Sequence, residues 1–401
     1  MEKYYLLLKE SLEATLPLIS SDFQRDVFMQ IDRDSRLIGL IGERGVGKTT
    51  MMLQKIQEKG SGFYFSADNP IIKDTGLYLF AHYLYFELNL REIYIDEVHK
   101  YPGWTDEIKS IYDSLPEMKV VFSGSSSLDL FKGVLDLVRR TDFYIIHPMN
   151  YAEYLRFFHN IQIPNFTLDE IIKNHKKIAL EYGLRHKETL FKDFLHKGQY
   201  PYTKNSSVNF VFKFQSLFDK TIFEDLPIFL NLQATSLDKL KRLLYFIANS
   251  TPSELSFSNL AQKIGIDKSV VENTLTLLAK IGIISLVPKF GNLSYRVRKE
   301  YKIFLGNTCL YNAYNLNIDI GILRECFVAS QLKRIKNAEL FSPKQGDIIV
   351  QIIDKIGHFE VGGKSKKEEN YDNQIFVVKD GITVSDNKRV IPMWLFGLLK
   401  V

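Results

Sequence analysis

Five short apolar runs punctuate the first 150 residues, near positions 37–41, 62–66, 92–96, 119–123 and 142–146. They are rich in Ile, Val, Phe and Tyr, and helix-compatible stretches such as 50–59 separate them. Buried strands alternating with helices predict an α/β fold with a parallel sheet covered on both faces. Past that point the pattern turns helical. Residues 151–234 read as mostly helix, with an internal turn at 194–201 and an amphipathic, aromatic-rich helix over 210–223.

Residues 236–304 read helix, helix, helix, hairpin, the order of a winged helix-turn-helix. The first helix covers 237–249, and the second starts at Ser256 and stops at Gly265. A recognition-helix candidate follows over 266–280. Asp267 is its expected N-cap, Val270, Leu275 and Leu278 face inward, and Ser269, Glu272, Asn273, Thr276 and Lys280 face outward. The last segment offers a helix at 323–332 and a strand pair ending at His358-Phe-Glu-Val-Gly-Gly-Lys364. The expected division is 1–160 for the sheet domain with an N-terminal helix, 161–235 for a helical lid, 236–305 for the winged helix and 306–401 for a small α/β domain.

At 401 residues, 45% hydrophobic and 25% charged, the chain suffices for several folded domains and has no disordered composition. Cys309 and Cys326 lie far from metal-ligand spacing and read as buried small hydrophobes in a reducing compartment. The start has only a short apolar run, and the longest apolar stretch, 77–90, falls short of the roughly 20 residues that cross a bilayer. The expectation is a soluble cytoplasmic protein with no membrane partner. A net charge of +5 permits nucleic-acid contact without arguing for it.

The first strand runs straight into Gly42-Glu-Arg-Gly-Val-Gly-Lys-Thr49, a G-x-x-x-x-G-K-T loop between strand and helix. Glycines let such a loop fold back so that backbone N–H groups and the helix N-terminus face phosphate oxygens. Gly42, Glu43, Arg44, Gly45, Val46, Gly47, Lys48, Thr49 and Thr50 are therefore the candidate nucleotide-contacting residues. Lys48 is expected on the β- and γ-phosphates and the Thr49 hydroxyl on Mg²⁺. The metal also needs a carboxylate at a neighbouring strand end, and Arg91-Glu-Ile-Tyr-Ile-Asp-Glu-Val-His99 supplies one. Asp96 would hold the Mg²⁺ shell with Thr49, and Glu97 would polarise the attacking water. His99 receives no catalytic role. Ser125, after the fourth strand, either senses the γ-phosphate or is an ordinary loop residue. Arg139 and Arg140 either complete a neighbouring subunit's site or form a surface pair that caps a helix.

Gly42-Glu-Arg-Gly-Val-Gly-Lys-Thr-Thr50, Ile93-Tyr-Ile-Asp-Glu-Val-His99, Phe122-Ser-Gly-Ser-Ser126 and Asp136-Leu-Val-Arg-Arg140 together resemble a prokaryotic family of AAA+ ATP-binding proteins of the P-loop, ASCE type. Its members carry an ATPase core and a C-terminal domain of unknown function. Tyr151-Ala-Glu-Tyr-Leu155 looks like the segment that closes the core in this family. The resemblance implies ATP as nucleotide, Mg²⁺ as ion, and a homo-oligomer ring in which Arg139 or Arg140 acts between subunits.

Two further expectations concern the C-terminal half. Lys289, Arg296, Arg298, Lys299 and Lys302 make the wing basic against one acid, Glu300, a strip able to neutralise DNA phosphates or, alternatively, a packing surface. Glu325, Asp347, Glu360 and Lys364 are similar in layout to the metal-binding carboxylates and lysine of the PD-(D/E)XK nuclease fold. Gly362 stands where that pattern has its lysine, and an offset of two residues moves Lys364 about 7 Å along a strand. The expected function is Mg²⁺-dependent ATP hydrolysis coupled to DNA binding or remodelling. The alternatives are a slow ATP-switched scaffold for a protein partner and an ATP-gated nuclease.

Overall fold

All five apolar runs of the first 150 residues form strands: β1 (Leu37–Gly42), β2 (Phe63–Ser66), β3 (Glu92–Asp96), β4 (Lys119–Gly124) and β5 (Asp142–Ile146). They make one sheet in the order β2-β3-β4-β1-β5, every neighbouring pair parallel. The computed structural model describes the chain except residues 32–33, 125–136, 138, 206–209, 223–233, 251–253, 292–299, 315–316, 368–373 and 401. At 205, 234–240 and 254–255 it describes the backbone alone. Two compact units result, Met1–Pro148 and Met149–Val401.

Strand alternation explains why both faces of the first sheet are apolar. Leu37, Phe63, Phe65, Ile93, Ile95, Val120 and Phe122 point to one face, where Leu8 and Leu12 of helix Glu2–Thr15, Phe80 and Leu84 of helix Leu77–Phe86 and Ile108 and Ile111 of helix Trp104–Ser114 cover them. Ile38, Leu40, Tyr94 and Val121 point to the other, beside Met51 and Met52 of helix Lys48–Lys59. The carboxyl ends of β1, β3 and β4 therefore converge on one edge, where ligands of parallel sheets bind.

The second unit begins with helix Tyr151–His159, started by an Asn150–Glu153 capping box. Tyr151-Ala-Glu-Tyr-Leu155, the segment likened to the one that closes the core, is buried. Tyr151 and Tyr154 stack at 6.0 Å, and Tyr154 Oη donates to Asp193 Oδ2 at 2.7 Å. Residues 161–235, expected as a helical lid, belong to this unit. Helix Leu168–Tyr182 meets β13 (Val390–Pro392) and the 3₁₀ helix Met393–Leu398, and residues 166 and 399 bridge in parallel.

Helix Ala234–Asn249, β6 (Glu254–Ser256), helices Phe257–Ile264 and Lys268–Lys280, β7 (Ile284–Pro288) and β8 (Glu300–Leu305) follow the order expected of the winged helix-turn-helix, with β6-β8-β7 antiparallel. Ser256 caps its helix by accepting from Asn259 N–H at 3.2 Å, and Gly265 ends it with φ 71°. On Lys268–Lys280 the core face is Val271, Thr274, Leu275 and Leu278, while Val270 is half-buried. Leu275 and Leu278 thus face inward as expected and Val271 takes the place expected for Val270; of the outer residues, Ser269, Asn273, Thr276 and Lys280 are exposed and Glu272 is half-buried.

A five-stranded sheet closes the chain: β9 (Ala338–Phe341), β10 (Ile348–Ile352), β11 (Lys355–Gly362), β12 (Ile375–Lys379) and β13, in the order β13-β12-β11-β10-β9. The β9-β10-β11 pairings are antiparallel and the β11-β12-β13 pairings parallel. Helix Ile320–Lys333 packs on β9 and β11. Both cysteines are buried and unbridged. Among the described residues no helix is long and apolar enough to cross a membrane.

Candidate functional site

The loop after β1 depends on glycine at three points. A Cβ on Gly42 would stand 2.3 Å from the Ile146 carbonyl oxygen of β5, and Gly45 and Gly47 hold left-handed φ values of 80° and 101°. Helix Lys48–Lys59 starts directly after Gly47. Arg25, which the motif does not include, braces the loop from below. Its buried guanidinium donates to the Val46 carbonyl at 2.6 Å and to the His147 carbonyl at 2.7 Å.

Lys48 is buried beneath this loop, with Nζ donating to the Gly42 and Glu43 carbonyls, both at 2.8 Å. Burial lowers its pKa to about 8, against the opposing pull of Glu97, Asp96 and Glu43. An ammonium has three donors, so two carbonyls leave one N–H for an incoming oxygen. A desolvated cation of this kind fits a phosphate.

Asp96, at the end of β3, is buried and collects four donors. Thr49 Oγ1 donates to Oδ2 at 2.6 Å and Tyr64 Oη to the same oxygen at 3.0 Å. Ser123 Oγ and the Glu97 N–H, the latter at 3.1 Å, serve Oδ1. Burial and the adjacent Asp96 carboxylate push the Tyr64 phenol well above its usual range, which keeps it a donor. Thr49 and Asp96 thus bring a hydroxyl and a carboxylate together, the hard oxygen donors that suit Mg²⁺. Among the described residues no group of three or more His, Cys, Asp or Glu could hold a metal. An ion here would complete its shell from phosphate and water.

Glu97 sits with φ 53°, a strained backbone for a non-glycine residue, where β3 turns into the 3₁₀ helix Val98–Lys100. Its Oε2 lies 3.3 Å from Lys100 Nζ and 3.7 Å from His99 Nε2. Burial raises the Glu97 pKa, but His99, Lys48, Lys100 and Arg44 outweigh it and hold the group below the usual carboxylate range. Burial pushes His99 down to about 4, so its imidazole is neutral near pH 7. The arrangement therefore brings a glycine loop with a buried ammonium, a hydroxyl–carboxylate pair and one ionised carboxylate to one sheet edge.

The other expected residues fare differently. Arg44 adds positive charge near Lys48 and Glu97, and Thr50 is exposed on the first helical turn. Ser125 lies outside the described residues; Ser123, two residues earlier, is the β4 hydroxyl that reaches the site. Arg139 is exposed, and Arg140 Nε pairs with Asp113 Oδ1 at 3.3 Å. Tyr64, Ser123 and Arg25 are not legible in the sequence as site residues. Tyr64 and Ser123 show in the sequence only as polar groups within apolar runs, and Arg25 lies between Gln24 and Asp26 with no such signal.

In the second unit, Arg296, Arg298 and Lys299 lie outside the described residues, and Lys289 is half-buried. Lys302 does not face outward with the basic strip: its Nζ is 2.6 Å from Glu325 Oε2 and 3.9 Å from Asp347 Oδ1. Asp347 also accepts from Val361 N–H at 2.8 Å. Lys364 does not lie on the strand that carries Glu360. Strand β11 ends at Gly362, so the chain turns before Lys364, which is exposed, and Lys366 pairs with the buried Glu360. The methylenes of Lys366 lie 2.8 Å from where a Gly362 Cβ would be, so the glycine makes room for the lysine's return.

Residues 34–155 match the family described as an AAA domain, and residues 188–320 match a domain of unknown function, DUF8612. A protein of Methanocaldococcus jannaschii described as uncharacterized is 28% identical over 402 residues, covering 91% of this chain and 84% of its own. Among solved structures, the S. cerevisiae Hsp104-ADP complex is 14% identical over 68% of this chain and 38% of that one, with a TM-score of 0.28. AMPPCP-bound DnaA from Aquifex aeolicus is 14% identical over 68% of this chain and 87% of that one, with a TM-score of 0.26.

Proposed function

We propose that this chain, with an AAA domain over residues 34–155, binds ATP with Mg²⁺ and hydrolyses it. The observation that carries the reading is the convergence on one sheet edge of buried Lys48, the Thr49–Asp96 hydrogen bond and Glu97. Backbone N–H groups of residues 42–50 and Lys48 Nζ would take the phosphates. Thr49 and Asp96 would hold Mg²⁺, which neutralises phosphate charge when bound. Glu97, ionised at neutral pH, would accept a hydrogen bond from the attacking water and orient it. Arg139 or Arg140 would act between subunits of a homo-oligomer.

The division of the C-terminal half into a helical stretch at 161–235, a winged helix at 236–305 and a nuclease-like piece at 306–401 belongs to the same proposal. Hydrolysis would be coupled to DNA through Lys289, Arg296, Arg298 and Lys299. Lys302 and Lys366 already neutralise Glu325 and Glu360, which weighs against a working metal-dependent nuclease.

The test is ATP binding and hydrolysis by the purified protein, with and without duplex, single-stranded and branched DNA at two salt concentrations, with Glu97→Gln as control. Hydrolysis that disappears in the control supports the ATPase; failure to bind ATP overturns it. DNA stimulation that weakens with salt supports the DNA role, because phosphate contacts release counterions. An unchanged slow rate under every condition favours the scaffold reading.

A further inference from the structure

Strands β11, β12 and β13 run parallel, and the carboxyl ends of β12 and β13 border a cleft of about 290 Å³ in the second unit. Such strand ends are where open α/β sheets hold their ligands. Strand β12 and the loop after it supply Lys379, Asp380 and Thr383, the chain after β13 supplies Trp394, and the start of helix Glu188–Asp193 brings His186 and Glu188. The walls are tied together. His186 stacks on Trp394 at 4.6 Å with the rings 4° apart, and Trp394 Nε1 donates to the Thr383 carbonyl at 3.0 Å.

Both carboxylates of the cleft are already matched. Arg324 Nε lies 2.9 Å from Asp380 Oδ2, and Lys192 Nζ lies 2.7 Å from Glu188 Oε1. Lys379 adds a third cation and Lys364 a fourth, its Cβ 3.8 Å from where a Gly381 Cβ would be. Neutral donors join them. The amides of Gly381, Ile382 and Thr383 meet no acceptor among the described residues, and Gly381 holds φ 75°. Consecutive amides at a left-handed turn form concavities that suit anions. Burial lowers the His186 pKa to about 4 against Glu188 and Asp380, so its ring is neutral near pH 7. Tyr151 Oη accepts from the Lys187 N–H and lies 3.2 Å from His186 Nδ1. The phenol therefore donates to Nδ1, and the ring hydrogen sits on Nε2. We propose that this cleft binds a phosphate group, carried by a small molecule or by the end of a nucleic-acid strand, with Lys364, the amides of residues 381–383 and His186 Nε2 as its donors. Lys364, off the strand that carries Glu360, then belongs to this site.

The proposal does not depend on the ATPase reading. Its test is calorimetric titration of the full chain, as wild type and as Lys48→Met, which subtracts phosphate taken by the glycine loop. The probes are inorganic phosphate, ribose 5-phosphate and a short single-stranded oligonucleotide with or without a 5′-phosphate. Saturable binding of a phosphate-bearing probe to Lys48→Met is expected, weakened about three- to tenfold by adding Lys364→Met and further by Lys364→Glu. Binding of ribose 5-phosphate assigns the site to a small molecule. Preference for the phosphorylated oligonucleotide over its hydroxyl twin assigns it to a strand end. His186→Phe keeps a stacked ring and should weaken binding as well; if it does not fold, the variants at the exposed Lys364 carry the prediction. Lys109→Met, which removes an exposed lysine of the first unit, should change nothing. No saturable binding of any probe, binding that both Lys364 variants leave unchanged, or an equal loss in Lys109→Met overturns the proposal.

Discussion

Thr49 Oγ1 stands 2.6 Å from Asp96 Oδ2, so the first turn of the helix after the glycine loop is tied directly to the end of β3. The two strands that feed these residues are not neighbours. Strand β4 lies between β1 and β3, and its Ser123 hydroxyl reaches the other oxygen of the same carboxylate. The geometry of the site therefore follows from sheet order as well as from the motifs.

Lys48 should destabilise the chain when no anion is bound. Its folded pKa is about 8 against a reference of 10.5. Between those values the unfolded chain keeps a proton that the folded chain gives up, so stability rises with pH across that window. The effect is on the order of 3 kcal/mol at most. Lys48→Met should remove this rise, increase the ligand-free melting temperature near neutral pH and lose tight ATP binding. Denaturation at about pH 7 and about pH 10, with and without ATP, checks all three.

Ser123→Ala removes a fully buried hydroxyl from Asp96. A hydrogen bond to a charged group is worth about 1.5–3 kcal/mol, and loss of stability in that range is expected on chemical denaturation. The freed carboxylate should also shift, so a Mg²⁺ titration of hydrolysis should show a higher half-saturating concentration. Wild-type values on both counts would reduce Ser123 to a packing residue.

Asp347 titrates in the opposite sense to Lys48. Burial first, then Glu325 and Glu360, raise its pKa from 3.8 to about 6, against the Val361 N–H and Lys302. The folded chain holds the extra proton between those values, so stability falls as pH rises through them and the penalty is complete above about 6. Asp347→Asn should stabilise the protein by about 2–3 kcal/mol near neutral pH and very little near pH 4. Equal effects at both pH values would count against a buried, partly protonated Asp347.

The five parallel strands are legible in the sequence because each is a short apolar run between polar boundaries, and Lys48, Thr49, Asp96 and Glu97 because their spacing matches a known phosphate chemistry. Tyr64 and Ser123 are not. Their partners are set by the order β2-β3-β4-β1-β5, which the linear sequence does not encode locally. Lys364 departs from expectation because strand alternation does not extend past Gly362, where the strand has already ended. Leu275 and Leu278 lie in the core as anticipated, and Val271 rather than Val270 joins them because positions 271, 275 and 278 share one helix face at i, i+4 and i+7.

Tyr64 from β2, Thr49 from the helix after β1, Ser123 from β4 and the Glu97 amide all end on the two oxygens of Asp96. That side chain is therefore a fastener for the whole carboxyl edge of the sheet. An Asp96 substitution would be a poor knock-out for enzymology, because it should speed amide hydrogen exchange along several strand ends while it removes the proposed metal ligand. Glu97→Gln, which leaves the fastener whole, is the cleaner way to arrest turnover with the architecture preserved.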